Sequence, residues 1–113
     1  MRMVLRSKIH KAFVTEADLN YIGSITIDEA LMEKADIWEG EQVLVTSNTD
    51  GERLVTYVIR GERDSGIICM NGAAAHLIKE GDEIIIMAFE VSDKPIKAKN
   101  VLVDKKNRFV RFI

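Results

Sequence analysis

The residues best suited to chemistry in this 113-residue chain stand together in Tyr21-Ile22-Gly23-Ser24-Ile25-Thr26-Ile27-Asp28. A serine hydroxyl can attack the carbonyl carbon of the residue before it, turning the peptide link into an ester. Glycine at that place has no side chain to block the approach and tolerates backbone geometry that other residues avoid. Elimination from the ester frees the Gly23 carboxylate, and hydrolytic loss of ammonia leaves Ser24 as an N-terminal pyruvoyl group. That ketone is an electrophile the twenty side chains do not supply. Taken alone, a Gly-Ser pair predicts no more than a turn.

The other reactive side chains are sparse. Cys69 is the single cysteine, so the chain has neither an internal disulfide nor a thiolate cluster for a metal, and its apolar run Ile67-Ile68-Cys69-Met70 reads as a buried, inert thiol. His10 and His76 are far apart, and neither has a second ligand at metal spacing, so no metal site is expected. Tyr57, Arg53, Lys8 and the light stretch Gly72-Ala73-Ala74-Ala75 each have an ordinary reading: a half-buried strand residue, a surface charge beside Glu52, a solvated strand lysine and a close helix contact. Only their joint occurrence raises them above it.

Four tracts occur together: Lys8-Ile9-His10; Ala17-Asp18-Leu19 followed by Tyr21 to Asp28; Gly51-Glu52-Arg53 followed by Thr56-Tyr57; and Gly66 to His76 with its core Asn71-Gly72-Ala73-Ala74-Ala75. In this order and spacing the chain resembles the pyruvoyl-dependent aspartate 1-decarboxylase family over roughly residues 1 to 91. The pairing of the Asn-Gly-Ala-Ala-Ala segment with the Gly-Ser tract is specific, whereas either alone is weak. Two departures stand out. Asp64 replaces a residue that is commonly small in the family, and the segment after Glu90 is shorter and more basic. Both bear on the packing of the tail and on any partner that docks there.

The resemblance implies a mainly β fold, a small six-stranded double-psi β-barrel with short helices, assembled as a homotetramer with sites between neighbouring subunits. It implies one domain, 1–113, self-cleaved at Gly23-Ser24 into a β chain of residues 1–23 and an α chain of 24–113. The cofactor would be the covalent pyruvoyl group derived from Ser24, which forms a Schiff base with the amine of L-aspartate. Tyr57 would be the proton donor and, with Ser24, a catalytic residue. Lys8, Arg53, Thr56, Gly72, Ala73 and Ala74 would bind substrate, with His10, Tyr21 and Asn71 in support. The expected product is β-alanine, for pantothenate synthesis.

Elementary chemistry agrees with most of these roles. Loss of carbon dioxide from an amino acid leaves a lone pair on the α-carbon, which requires an electron sink such as the conjugated pyruvoyl carbonyl. A dianionic substrate needs two cationic anchors, and arginine suits a carboxylate through its two-pronged donors. Which carboxylate meets Arg53 and which meets Lys8 stays open. Backbone N–H groups at Gly72-Ala73-Ala74 can reach an anion, and a phenol with a reference pKa of about 10 is protonated at neutral pH, as a donor must be. One tension remains: in a regular strand Arg53 and Tyr57 share a face while Thr56 points the other way. A bulge, a strand end or a site built from two subunits would each resolve it.

The elements that must position these residues are short. Turn residues separate runs rich in Val, Ile, Thr and aromatics, predicting strands over Val4–Ile9, Ala12–Thr15, Ser24–Ile27, Gln42–Ser47, Leu54–Ile59, Ile67–Met70, Glu83–Glu90, Asn100–Val103 and Phe109–Phe112. Asn48-Thr49-Asp50-Gly51 predicts a hairpin. Asp28 can cap a helix from Glu29 to about Lys34 with Leu31, Met32 and Ala35 inward, and a second helix is expected over Ala73–Lys79, stopped by Gly81. The pattern indicates a small closed barrel and leaves its topology open.

Composition sets outer bounds. Hydrophobic residues are 47% and charged residues 30%, a globular balance in a chain of single-domain length. A body this small favours self-association. No apolar run approaches the ~20 residues of a membrane span. Arg2, Arg6, Lys8, His10 and Lys11 interrupt the N-terminus, which excludes the apolar core of a signal peptide and points to a cytoplasmic location without membrane contact. The formal charge of −2 is uneven: from Ser92 to Ile113 seven Lys/Arg face two Asp, a net of +5, which leaves −7 on the first 91 residues. A basic tail can bind nucleic acid, but without interleaved stacking aromatics the stronger expectation is a basic strand packed on an acidic body, with no nucleic-acid partner. Two readings compete with the decarboxylase: an uncleaved double-psi barrel acting as a binding or scaffold module, and a pyruvoyl decarboxylase of another amino acid. The need for a maturation partner is open.

Overall fold

The computed structural model describes residues 1–113. Its longest early strand, β1 (Arg2–Phe13), buries Ser7 and Ile9 at the period of two that a half-covered strand demands, then buries Ala12. A bulge causes that change of phase. The register against β7 (Glu83–Ser92) shifts between Ile9 and Ala12, where Lys11 takes a φ of +62°. The two strands expected over Val4–Ile9 and Ala12–Thr15 are therefore one bent strand, and a short β2 (Glu16–Asp18) follows where no strand was expected.

Around the molecule β7 pairs antiparallel with β4 (Gln42–Ser47), and β4 pairs antiparallel with β5 (Arg53–Gly61). β5 runs parallel to β3 (Ile25–Asp28), which is antiparallel to β6 (Ile68–Asn71). β6 then runs parallel to β2. Only Val14 and Thr15 separate β2 from β1, and the Thr15 N–H donates to the Ile68 carbonyl at 2.7 Å. The sheet thus closes on the chain's own first segment. Counting β1 and β2 as one bent strand gives a ring of six, mainly β, in agreement with the small double-psi barrel expected. Ile9, Ile25, Ile27, Val43, Val45, Val58, Ile68, Met70, Ile84 and Ile86 fill its interior, all within 1% of full burial.

The remaining strands lie outside the ring. β8 (Lys99–Val103) adds in parallel to Ser7–His10 of β1, and β9 (Phe109–Phe112) pairs antiparallel with β8. The basic tail is therefore packed on the body, although none of its lysines or arginines forms an ion pair with a body carboxylate and its one ion pair joins Asp93 to the N-terminal ammonium at 3.6 Å. Asn107 anchors it. Its Oδ1 accepts from the Phe13 N–H at 2.8 Å, and its Nδ2 donates to the Phe13 and Gly66 carbonyls at 2.8 Å each. Arg108 donates to the carbonyl of Asp64, so the two family departures touch one another.

The hairpin at Asn48–Gly51 forms between β4 and β5, with Gly51 at a φ of +81°. Helix α1 (Glu29–Ala35) starts at the Asp28 cap and buries Leu31, Met32 and Ala35. The second helix is shorter than expected and of another kind, a 3-10 turn over Gly72–His76. Fully buried Ile78 pulls the chain into the core, and a turn at Lys79–Asp82, with Gly81 at a φ of +88°, delivers it to β7. Too few residues remain for an α-helix. No helix is long and apolar enough to cross a membrane.

Candidate active site

β3 begins where the Gly-Ser pair ends, and β6 ends at Asn71. Their antiparallel register sets Ile25 against Met70 and Thr26 against Cys69, which carries Ser24 opposite Asn71. The Asn71 N–H fixes that step by donating to the Ser24 carbonyl at 2.9 Å. Side chains two apart share a face of a strand, so Ser24, Thr26, Cys69 and Asn71 all project to the same side. There the Asn71 Nδ2 donates to Ser24 Oγ at 3.0 Å and to Thr26 Oγ1 at 3.0 Å, while the Cys69 thiol lies 3.1 Å from Asn71 Oδ1. Ser24 is 1% exposed and Asn71 3%. Burial, reinforced by the negative charges of Glu16 and Asp18, pushes the Cys69 thiol pKa up.

The backbone at the pair is unusual. Gly23 has a φ of +52° and Ser24 one of +93°, a region that costs a residue with a side chain about 1–3 kcal/mol. Beyond its chain neighbours nothing lies within 4 Å of a Cβ placed on Gly23. Glycine is thus favoured here by conformation rather than by crowding. Gly72 is the opposite case: with a φ of +65°, its Cβ would sit 2.6 Å from the Gly23 nitrogen and 2.9 Å from the Tyr21 carbonyl oxygen. Gly72 and Gly23 can meet only because one of them has no side chain. The Gly23 N–H donates to the Tyr21 carbonyl at 2.9 Å, and the Tyr57 hydroxyl donates to the Ile22 carbonyl at 3.1 Å. Ala73 and Ala74 follow in the 3-10 turn.

Gly23, Ser24, Asn71, Gly72, Tyr57 and the Tyr21 backbone therefore meet in one chain. Arg53, Thr56, Lys8 and His10 do not join them. Arg53 sits on β5 four residues before Tyr57, about 13 Å away along the strand. Arg53 and Tyr57 are exposed on the outer face, and half-buried Thr56 is on the other. Pairing of β5 with β4 is unbroken from Arg53 to Tyr57, so neither a bulge nor a strand end brings Thr56 to their side. Lys8 pairs with Met87, Met87 with Leu44, and Leu44 with Val55. It shares an outer row with Val55, yet stands three strands or about 14 Å away. His10 lies beyond Lys8, paired with Leu102, with Nδ1 buried and unpartnered. Burial first, then the charges of Lys8 and Lys11, hold its pKa below the ordinary value.

Two members of the cluster, Thr26 and Cys69, were not among the expected site residues. The signal available was their spacing, two residues after Ser24 and two before Asn71, which puts them on the same faces once the two segments are paired.

Ring and cluster together define a small β-barrel whose buried polar centre is assembled on the peptide between Gly23 and Ser24. A model of the family described as aspartate decarboxylase matches residues 1–110, and the chain belongs to that family. The aspartate 1-decarboxylase of Acetivibrio thermocellus is 55% identical, covering 95% of this chain and 88% of its own. The proteins of that name from a Thermotoga species and from Bacillus cytotoxicus are 53% and 47% identical, covering 98% and 99% of this chain and 97% and 91% of their own. Among solved structures, the computationally designed msDPBB_sym2 protein aligns with a TM-score of 0.47 at 19% identity, over 77% of this chain and 99% of its own. The fold assignment rests instead on the strand pairing above.

Proposed function

We propose that this chain converts L-aspartate to β-alanine and carbon dioxide, in pantothenate biosynthesis in the cytoplasm, after cutting itself between Gly23 and Ser24. The observation that carries this reading is the contact of the Asn71 amide with Ser24 Oγ at 3.0 Å, beside a peptide whose two residues both take positive φ. A nucleophile held by a buried donor, next to a strained bond, has its ground state raised and its approach fixed.

The residues fit a pyruvoyl group at position 24. Its surroundings are buried, and the absence of a side chain at Gly72 lets the Gly23 backbone lie against it where any Cβ would clash. When formed, that group supplies a ketone to which the substrate amine attaches and which draws off the electrons left by carbon dioxide. Asn71 and Thr26 hold the reacting centre in place. Tyr57, on the Ile22 carbonyl in the uncleaved chain, is the proton donor. The N–H groups of Ala73 and Ala74 and the Arg53 guanidinium receive carboxylate oxygens. Lys8 supplies the second cationic anchor, with His10 near it.

Within one chain neither Lys8 nor Arg53 makes a contact with Ser24, and pairing register places Lys8 three strands from the strand that carries Arg53. This supports a homotetramer in which a neighbouring copy completes the site, which would account for the positions of Lys8, Arg53 and Thr56.

Intact-mass measurement tests the reading. Purified protein should resolve into residues 1–23 and 24–113, with one water gained and one ammonia lost in total. Ser24→Ala should stay whole and release no β-alanine from aspartate. A wild-type chain that remains a single mass would instead support an uncleaved scaffold barrel.

A further inference from the structure

We propose that Cys69 is a positioning residue for the Ser24 reaction: its thiol proton decides which end of the Asn71 amide faces the serine. This rests on the self-cleavage reading above and adds to it the group that holds the asparagine in register.

The two ends of an asparagine amide are nearly the same shape, so their neighbours decide the orientation. On one side Asn71 faces the hydroxyls of Ser24 and Thr26, each at 3.0 Å. A hydroxyl both donates and accepts, so these two would accommodate either end. On the other side stands Cys69 Sγ, 3.1 Å away. A thiol is not neutral in this way, because its sulfur is a weak acceptor and its proton needs an oxygen. It selects Oδ1 and thereby turns both N–H bonds toward the hydroxyls.

The consequence falls on Ser24. An N–H aimed at Oγ stabilises the negative charge that grows there as the hydroxyl loses its proton and attacks Gly23. The reversed amide would offer a carbonyl oxygen, which repels that charge and keeps the hydroxyl proton for itself. Cys69 is 5% exposed, and burial with Glu16 and Asp18 nearby raises its pKa, so the thiol keeps the proton this orientation requires. Its other acceptors, Glu16 Oε2 and the Met70 carbonyl, are both at 3.9 Å, well beyond the Asn71 contact.

Three variants separate donation from packing. Cys69→Ser keeps a donor, while Cys69→Ala and Cys69→Val remove it, with valine close to cysteine in size. Self-cleavage followed by intact mass should slow about tenfold in the two donor-less variants and recover in Cys69→Ser, the scale of one lost hydrogen bond. A second readout does not depend on cleavage. In a Ser24→Ala background labelled with ¹⁵N-asparagine, the Asn71 side-chain amide protons should exchange with water about tenfold faster in Cys69→Ala and Cys69→Val than with cysteine or serine at 69. If wild type cleaves and the donor-less variants keep pace, or if serine is as slow as alanine, Cys69 has no such role while self-cleavage stands. If wild type does not cleave, the self-cleavage reading fails, and equal amide exchange across the variants would overturn the Cys69 assignment as well.

Discussion

A methyl group on Gly72 has nowhere to go, because the atoms it would meet are the backbone nitrogen and Cα of Gly23, at 2.6 and 2.8 Å. Backbone cannot rotate aside as a side chain does, and the positive φ of Gly72 adds strain of its own. Gly72→Ala should therefore push the scissile peptide off Asn71 and slow self-cleavage about 10²-fold, the cost of a displacement near 1 Å at a reacting centre. Intact mass against time measures this; cleavage at the wild-type rate would mean that the close approach has no part in the reaction. At this scale the sequence pointed to Gly23, Ser24 and Asn71 through their residue types, and the structure brings the three together. Cys69 was correctly placed as a buried thiol, but its contact with Asn71 depends on strand register, which local composition does not encode. The same gap hid Thr26.

Among the elements, the turn that feeds β6 is held by one carboxylate. Asp28 Oδ1 accepts from the N–H groups of Ala30 at 2.8 Å and Asp64 at 3.0 Å, and Oδ2 from that of Gly66 at 2.8 Å. It thus caps α1 and pins the loop whose other end becomes β6, the strand that carries Asn71. Asp28→Ala would leave three backbone donors short of a partner in a site that is 2% exposed, for a loss of about 2–4 kcal/mol. In a Ser24→Ala background the melting temperature should fall by about 10 °C or more. Asp28→Asn, which keeps one accepting oxygen, should lose about half as much. An unchanged melting temperature in Asp28→Ala would show that the loop does not depend on this cap. The cap and the helix after it were legible because helix starts have a local chemistry. The bulge at Lys11 and the three-residue β2 were not, since both exist to bend the first segment round to β6, a demand set by the closed ring.

For the whole molecule, closure of the ring fixes what one chain can and cannot bring together. Strand identities and a small closed barrel were readable from periodicity, but the order of strands was not, and order is what places Lys8 three strands from Val55. If a neighbouring copy supplies Lys8, two crippled chains can repair each other. Lys8→Ala retains its own Ser24 but offers no lysine, and Ser24→Ala offers lysine but has no nucleophile. Each alone should be inactive on aspartate, with mass spectrometry confirming that Lys8→Ala is still cleaved. Co-expressed in equal amounts, they should regain about a quarter of wild-type activity, because half the sites have a competent Ser24 and half of those a neighbour with its lysine. A site contained within one chain would regain none, since no chain in the mixture carries both residues. Activity of the mixed assembly therefore distinguishes a shared site from a private one without knowledge of the interface, and its absence, with mixed oligomers demonstrably formed, would place Lys8 outside the neighbouring copy's site.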